Sequence, residues 1–217
     1  MTNYLRSFRF VAGAFALLAA GMSVAADKPA AAPARIAPPT APIPSPAPRF
    51  VQAPGGNTLD FAFMQAGAEN HGLFKQFAVE LQYDEKNLAA SKLLVKVQIA
   101  SLDTQDQERD TTLASAELFD AQKHPAAHFT SSSITRRPDG TLAATGKLTL
   151  RGVTRDVTLP LTLKAAGTGH ELTGSVTIKR LDFGIGQGEW KSTEWVGDEV
   201  KISYKVRLVP AGPAPGR

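Results

Sequence analysis

The chain has no cysteine among its 217 residues. That single absence excludes a disulfide framework, a Cys-ligated zinc, an iron–sulfur cluster, a thiol nucleophile and a lipidated N-terminal cysteine. Clustered basic charge is also missing. The net charge is +4, but Arg6 and Arg9 supply two of those charges before the first acid, Asp27. No run of Lys and Arg exceeds two residues (Arg136-Arg137, Lys179-Arg180). A nucleic-acid footprint needs denser basic patches, so no nucleic acid is expected as a partner. Long apolar runs are absent too. The longest, Phe10 to Ala20, falls short of the about 20 residues that span a bilayer.

That short run has the layout of an export signal. Arg6 and Arg9 precede it, and small residues Ser23 to Ala26 follow it. Residues 1–26 are therefore expected to be a signal peptide, placing the mature protein outside the cytoplasm. Arg6 and Arg9 are not adjacent, so a twin-arginine signal is unsupported. Residues 27–54 hold nine of the fifteen prolines. Proline lacks the backbone donor and fixes φ, so this stretch reads as an extended, disordered linker.

From Gly55 onward the hydropathy alternates with period two. Val200, Ile202, Tyr204, Val206 and Leu208 alternate with Lys201, Ser203, Lys205 and Arg207. Such alternation marks a strand with one wet face. The same pattern covers 141–150, 156–163 and 172–179, with Gly146 and Gly174 in the apolar register. Further strands are expected at Leu59–Gln65, Phe77–Tyr83, Leu93–Ala100 and Ala127–Ile134. Pro138-Asp139-Gly140 and Gly167-Thr168-Gly169 read as hairpin turns, and Arg151-Gly152 as a tight corner. Asp106 to Phe119 favours a short helix with Asp106 as N-cap. About eight evenly spaced strands and one helix argue for an all-β sandwich or barrel, in a domain over 55–210 followed by a disordered tail, 211–217. Eight strands enclose either a filled core or room for one small ligand, and periodicity leaves both open.

Residues suited to chemistry do not form a catalytic group, and the chain is not expected to be an enzyme. His124 and His128 are four apart, but Pro125 forbids a helix there and the following run is strand-like, which puts them about 13 Å apart. Neither a metal nor a cofactor is expected. Gly184-Ile185-Gly186-Gln187-Gly188 leads into no helix, so it lacks the geometry of a phosphate loop and reads as a bend at a barrel rim. Ser131 to Ser133 lack the context of a nucleophile elbow. Trp190 and Trp195 fall in the Gly-rich segment between the last two strands and read equally as a plug of one barrel end or as a lid or lipid-headgroup contact.

Several short motifs occur in order: Gly72-Leu73-Phe74; Ser101-Leu102-Asp103-Thr104; Glu108-Arg109-Asp110; Phe119-Asp120; His124-Pro125-Ala126-Ala127-His128-Phe129; Gly146 through Thr154; and Arg180-Leu181-Asp182-Phe183-Gly184-Ile185-Gly186. In this order the chain from 57 to 209 resembles the YceI-like family of periplasmic polyisoprenoid-binding proteins. The resemblance implies an extended, lipocalin-like antiparallel eight-stranded barrel holding an isoprenoid lipid. The first strand pair looks reduced relative to the family, to Leu59–Gln65 plus a loop. The inward faces nominate Phe61, Phe63, Phe77, Leu81, Val95, Val97, Leu148, Leu159, Leu161, Val176, Ile202 and Tyr204 as lipid contacts. Trp190, Trp195, Arg180 and Asp182 are candidates for the rim. Arg109, Asp110, Arg180 and Asp182 recur in the motifs and are expected to form structural ion pairs or headgroup contacts. The implied role is transport, storage or sequestration of a polyprenyl lipid or isoprenoid quinone. Alternatives are a stress-related module for small amphiphiles and a quinone-handling partner of a membrane cytochrome. Transient contact with a membrane surface fits each of these, and the assembly state is left open, a dimer included.

Overall fold

A computed structural model describes residues 47–212. The expected signal peptide (1–26), the linker up to residue 46 and residues 213–217 lie outside the described residues.

The strands are β1 (Arg49–Gln52), β2 (Thr58–Gln65), β3 (Ala68–Phe74), β4 (Phe77–Gln82), β5 (Lys92–Gln98), β6 (Leu102–Asp103), β7 (Ala126–Arg136), β8 (Leu142–Leu150), β9 (Val153–Ala166), β10 (Gly169–Lys179) and β11 (Val196–Pro210); the helix α1 is Gln107–Ala114. All registered pairs are antiparallel, in the order β1-β4-β5-β7-β8-β9-β10-β11-β2-β3-β6, and β1 pairs with β11 to close the ring. β1 and β2 lie in sequence along β11, β3 and β4 lie along them, and β5 and β6 follow in turn. Each of these three pairs is one barrel strand broken by a bend. The ring therefore has eight strands, as expected, and is an extended antiparallel barrel with one short helix.

Local chemistry explains the connections. Arg151 (φ 50°) and Gly152 (φ 74°) turn β8 into β9, and Ala66 and Gly67 (φ 51° and 80°) turn β2 into β3. These are the positive-φ two-residue turns whose twist suits a hairpin. Asp106 caps α1, its carboxylate accepting from Arg109 N at 3.1 Å. The helix stops at Ala114, five residues short of the expected Phe119.

Three strands escaped the sequence reading, β1, β3 and the two-residue β6. β1 begins at Arg49, six residues before the expected domain start. Pro48 and Pro54 bracket it and give it the composition of a linker, yet Phe50 to Gln52 pair with Leu208 to Pro210, and Arg49 to Val51 with Glu80 to Gln82. β3 (AENHGLF) has no buried residue and shows no alternation. With β1 and β3 present, the first strand pair is not reduced to Leu59–Gln65 plus a loop; that expectation is corrected.

A buried ion pair ties β1 to β4. Arg49 Nε and Nη2 donate to Glu80 Oε1 and Oε2 at 2.7 and 2.8 Å, and Glu80 is fully buried. This hydrogen bonding raises the Arg49 pKa above its ordinary value, against the opposing effect of burial. Removing one partner of such a pair strands the other charge, whereas replacing both by apolar groups is far less costly. Arg49→Met should therefore cost about 3 kcal/mol, at the low end for buried pairs because Arg49 keeps some solvent contact. Arg49→Met with Glu80→Met should recover most of that loss, measured by urea unfolding of the four proteins in the cycle.

Candidate functional site

The inward side chains do not fill the barrel evenly. At one end Phe50, Leu81, Ile134, Leu142 and Leu208 form an apolar plug. Above it lies a layer of Leu93, Phe129, Leu161, Leu172 and Val206, each no more than 3% exposed. This layer is the floor of a cavity of about 420 Å³. The two readings left open by the sequence both occur, at opposite ends of one barrel.

Phe61 and Phe63 on β2, Phe77 on β4, Val95 and Val97 on β5, Leu148 on β8, Leu159 and Leu161 on β9, Val176 on β10, and Ile202 and Tyr204 on β11 all face the cavity. Leu81 does not. It is 1% exposed and lies in the plug. Alternation reports the face of a strand and is blind to depth along the barrel. Nor do the inward glycines make room for a ligand. A Cβ at Gly146 would sit 2.2 Å from Thr130 O, beside the β7 irregularity at Ser131–Ser133, and one at Gly174 would sit 2.2 Å from Pro160 O. Backbone and a neighbouring ring occupy that space.

The other end of the cavity reaches solvent. Asp106, Glu108, Arg109 and Thr112 of α1 and its cap border it, together with Gln65. Asp106 and Glu108 are exposed. Of these the sequence pointed only to Arg109, as a structural pair or headgroup contact, although the helix itself was legible. Aromatic packing braces this side: Phe61 lies 5.3 Å from Phe74 and 6.1 Å from Phe63 between ring centroids, and Phe74 meets Phe119 edge-on at 6.2 Å. Gly72 is needed here, because a Cβ would come within 2.4 Å of the Phe61 ring.

Arg180 organises the rim. It is 3% exposed. Its Nε donates to Gly197 O, Nη1 to Ile185 O and Trp190 O, and Nη2 to Ser192 O and Val196 O, at 2.7 to 3.2 Å. All five N–H donors of the guanidinium are thus spent on carbonyls of one loop. Desolvation lowers its pKa from the ordinary value, partly offset by Asp198. The glycine run is explained by this contact: Gly184 (φ 69°) ends a 3-10 turn over 180–183, and a Cβ at Gly186 would lie 2.0 Å from Arg180 Nη1. Of the four motif charges, Arg109 forms an ion pair, with Asp106, and none pairs with another of the four. Asp182 is exposed and its backbone carbonyl accepts from Arg155 Nε at 3.1 Å. Asp110 accepts from the Thr104 N–H and hydroxyl at 2.8 and 2.7 Å, and Arg109 stands 3.6 Å from Asp106.

The two tryptophans separate. Trp190 faces the cavity, and Trp195 is 70% exposed. Met64, 43% exposed, flanks the same edge: Gln65 pairs with Val196, and Ala66 N donates to Trp195 O at 2.7 Å. Inside the cavity, Tyr204 Oη donates to Pro160 O. Burial pushes the Tyr204 phenol well above its usual range, so it stays neutral. His124 packs on the Gly152 turn, and His128 points outward from β7, where burial and Lys96 lower its pKa. Ser131 Oγ accepts from Leu93 N at 2.8 Å and serves the sheet.

A YceI-like domain model matches residues 51–208. The chain belongs to the YceI-like family. This YceI-like chain is 41% identical over 123 residues to Protein YceI of Escherichia coli, a match covering 53% of the chain and 63% of that relative. It is 37% identical over 121 residues to a UPF0312 protein of Photorhabdus laumondii, covering 52% and 62%. The match thus spans under two thirds of the length of these relatives. The crystal structure of Burkholderia cenocepacia BcnA superposes with a TM-score of 0.67 at 32% identity, over 70% of this chain and 95% of that one. A polyisoprenoid binding domain from Saccharophagus degradans superposes with a TM-score of 0.59 over 75% of this chain and 98% of that one, at 11% identity, a likeness of fold alone.

If Arg180 holds the loop as described, Arg180→Met should leave several buried carbonyls without donors. Each such loss costs about 1–3 kcal/mol, so the melting temperature should drop by well over 5 °C. Trp190 emission should shift to the red as its loop loosens. Asp182→Asn should change neither.

Proposed function

We propose that this protein holds an isoprenoid lipid, a polyprenyl lipid or isoprenoid quinone, in the barrel cavity, and transports, stores or sequesters it after export to the periplasm. The observation that carries this reading is the blind, apolar cavity. Its walls are aliphatic and aromatic from floor to rim, and its charged side chains, Asp106, Glu108, Arg109 and Arg180, gather at the open end. Such a site suits a long hydrocarbon chain with one polar end. The eleven inward residues named above are the proposed lipid contacts, and Arg180 and Trp190 the proposed rim. Membership of the family supports the reading, and the expected signal segment supports export. No step calls for a catalytic group, so this is a binding protein and not an enzyme.

Magnitudes favour a carrier. A tail of about 40 carbons, at about 0.8 kcal/mol per CH₂, would nominally gain more than 25 kcal/mol on leaving water, beyond the about 18–21 kcal/mol at which affinities saturate. Water is the wrong reference, because such a lipid comes from a bilayer. Exchange between two apolar environments lies near balance and is easily tipped in either direction. Val196 at the rim and Val206 at the floor are ten residues apart on β11. β11 is bulged between Val196 and Val200, where four steps face two on β2, so at about 3.4 Å per regular step and a tilt of about 40° the cavity is about 21 Å deep. That is about two thirds of the about 30 Å hydrocarbon thickness of a bilayer, and a longer tail must fold back or protrude. Trp195 and Met64 beside the rim are suited to brief contact with headgroups.

Protein purified after native expression should yield a prenyl lipid on organic extraction and mass spectrometry, near one per chain. Finding none would remove the reading. The floor should set the usable length. Leu161→Trp should weaken binding of a C40 prenyl probe at least tenfold while leaving a C15 probe within twofold, measured by intrinsic fluorescence titration.

A further inference from the structure

One wall of the barrel is hydrogen-bonded over less than half its length. β9 has 14 residues and β10 has 11, yet they share five registered pairs, Thr162–Ala166 with Gly169–Thr173. Beyond these, Val153–Leu161 pairs only with β8, and Gly174–Lys179 only with β11. The neighbouring seams are laddered throughout: β8 and β9 share nine pairs, β10 and β11 ten. β5 and β7 also share five, but those use five of the seven residues of β5.

Three residues end the β9–β10 ladder. In an antiparallel strand the N–H and C=O of one residue point to the same side. The Pro160 carbonyl meets Tyr204, which lies beyond β10, so the proline nitrogen also faces β10 and offers it no hydrogen. A ladder bond is therefore missing at that position. Tyr204 reaches from β11 across β10 and donates to the Pro160 carbonyl in place of a strand partner. Gly174 leaves the path clear: a Cβ there would lie 2.6 Å from Tyr204 Oη. The far end of the seam is held by one exposed contact, Arg155 Nε to Asp182 O.

Both banks of this seam are cavity wall. Leu159 on β9 and Val176 and Ile178 on β10 line it, while Thr158, Ser175 and Thr177 face solvent. The shorter bank, Gly174 to Lys179 on β10, gives six unladdered residues and a length of about 20 Å, comparable to the cavity depth. Parting a ladder sacrifices about 1 kcal/mol per hydrogen bond. Parting this stretch sacrifices aliphatic contacts, which an entering hydrocarbon chain replaces. The open end, by contrast, would make every carbon of the tail pass Asp106, Glu108 and Arg109.

We propose that the hydrocarbon chain of the ligand enters and leaves sideways, through the β9–β10 seam between Pro160 and Arg155. The proposal rests on the lipid-binding reading above. The chain has no native cysteine, which allows a clean test. Thr158→Cys and Thr177→Cys place thiols on opposite banks, outside the cavity, to be bridged by a short bis-methanethiosulfonate reagent. Lys147→Cys and Asp156→Cys, partners across the intact β8–β9 ladder, provide the control bridge. Each protein is loaded with a fluorescent geranylgeranyl probe before bridging, and transfer to phosphatidylethanolamine–phosphatidylglycerol vesicles is followed. The seam bridge should slow transfer at least tenfold, reduction should restore it, and the control bridge should leave it within twofold. If the seam-bridged protein transfers the probe as fast as its reduced form, the sideways route is wrong while the binding reading stands. If the probe binds neither the unmodified chain nor the variants, the binding reading falls and the route falls with it.

Discussion

The barrel depends on satisfying both edges of one strand. β11 runs for 15 residues, and one edge carries ten pairs to β10. The other edge is too long for β2, which covers only as far as Lys205. Arg207 to Pro210 are met by Ala53 and by β1 instead. A sheet edge left open at that point would expose backbone donors and acceptors next to Phe50, Leu81 and Leu208. The plug would then lose its wall and the cavity its floor. Four residues between two prolines thus decide whether the molecule is a closed container or an open sheet.

Two arginines, Arg180 buried and Arg49 half-buried, serve that container in different ways. Arg49 faces a fully buried carboxylate and fastens the closing strand to β4. Arg180 has no carboxylate within contact and spreads its charge over five carbonyl dipoles. The second arrangement suits a loop. A carboxylate would satisfy two donors and leave the loop carbonyls to water, whereas the planar fork gathers distant carbonyls of residues 185–197 around one centre. The rim is therefore set by backbone geometry. Its charge is enclosed, which keeps the apolar wall continuous from Val176 to Val196.

Much of this was legible in the sequence, and the omissions have physical causes. Period two is a property of the strand, so the inward faces of β8 to β11 could be read directly, and so could the turns at Gly140, Gly152 and Gly167. Depth is not periodic, which is why Leu81 looked equivalent to Val95. β1 was hidden because proline dominates local composition, although each flanking proline stands outside the ladder. β3 was hidden because a strand with few buried side chains leaves no hydropathy signal. Arg180 stood among the four motif charges expected to form structural pairs or headgroup contacts. The guanidinium instead found carbonyls up to 17 residues away, and no pattern of side chains records a carbonyl.

The same limit applies to Pro160 and Gly174. Each was visible as a residue, and each sat in a run whose alternation was otherwise regular. Alternation concerns side chains above and below the sheet, while the ladder concerns bonds within it, so a run can keep its faces and lose its neighbour. β9 does so from Val153 to Leu161. A prenyl chain, on the proposed reading, would gain little free energy in either direction between bilayer and barrel, so its passage would be governed by barriers. Barriers in a β-barrel are set by the bonds within the sheet. For the proposed exchange, the chemistry that matters most is then the absence of one backbone hydrogen at Pro160 and one side chain at Gly174, which leaves a wall of apolar contacts where the flanking β8–β9 and β10–β11 seams have ladders.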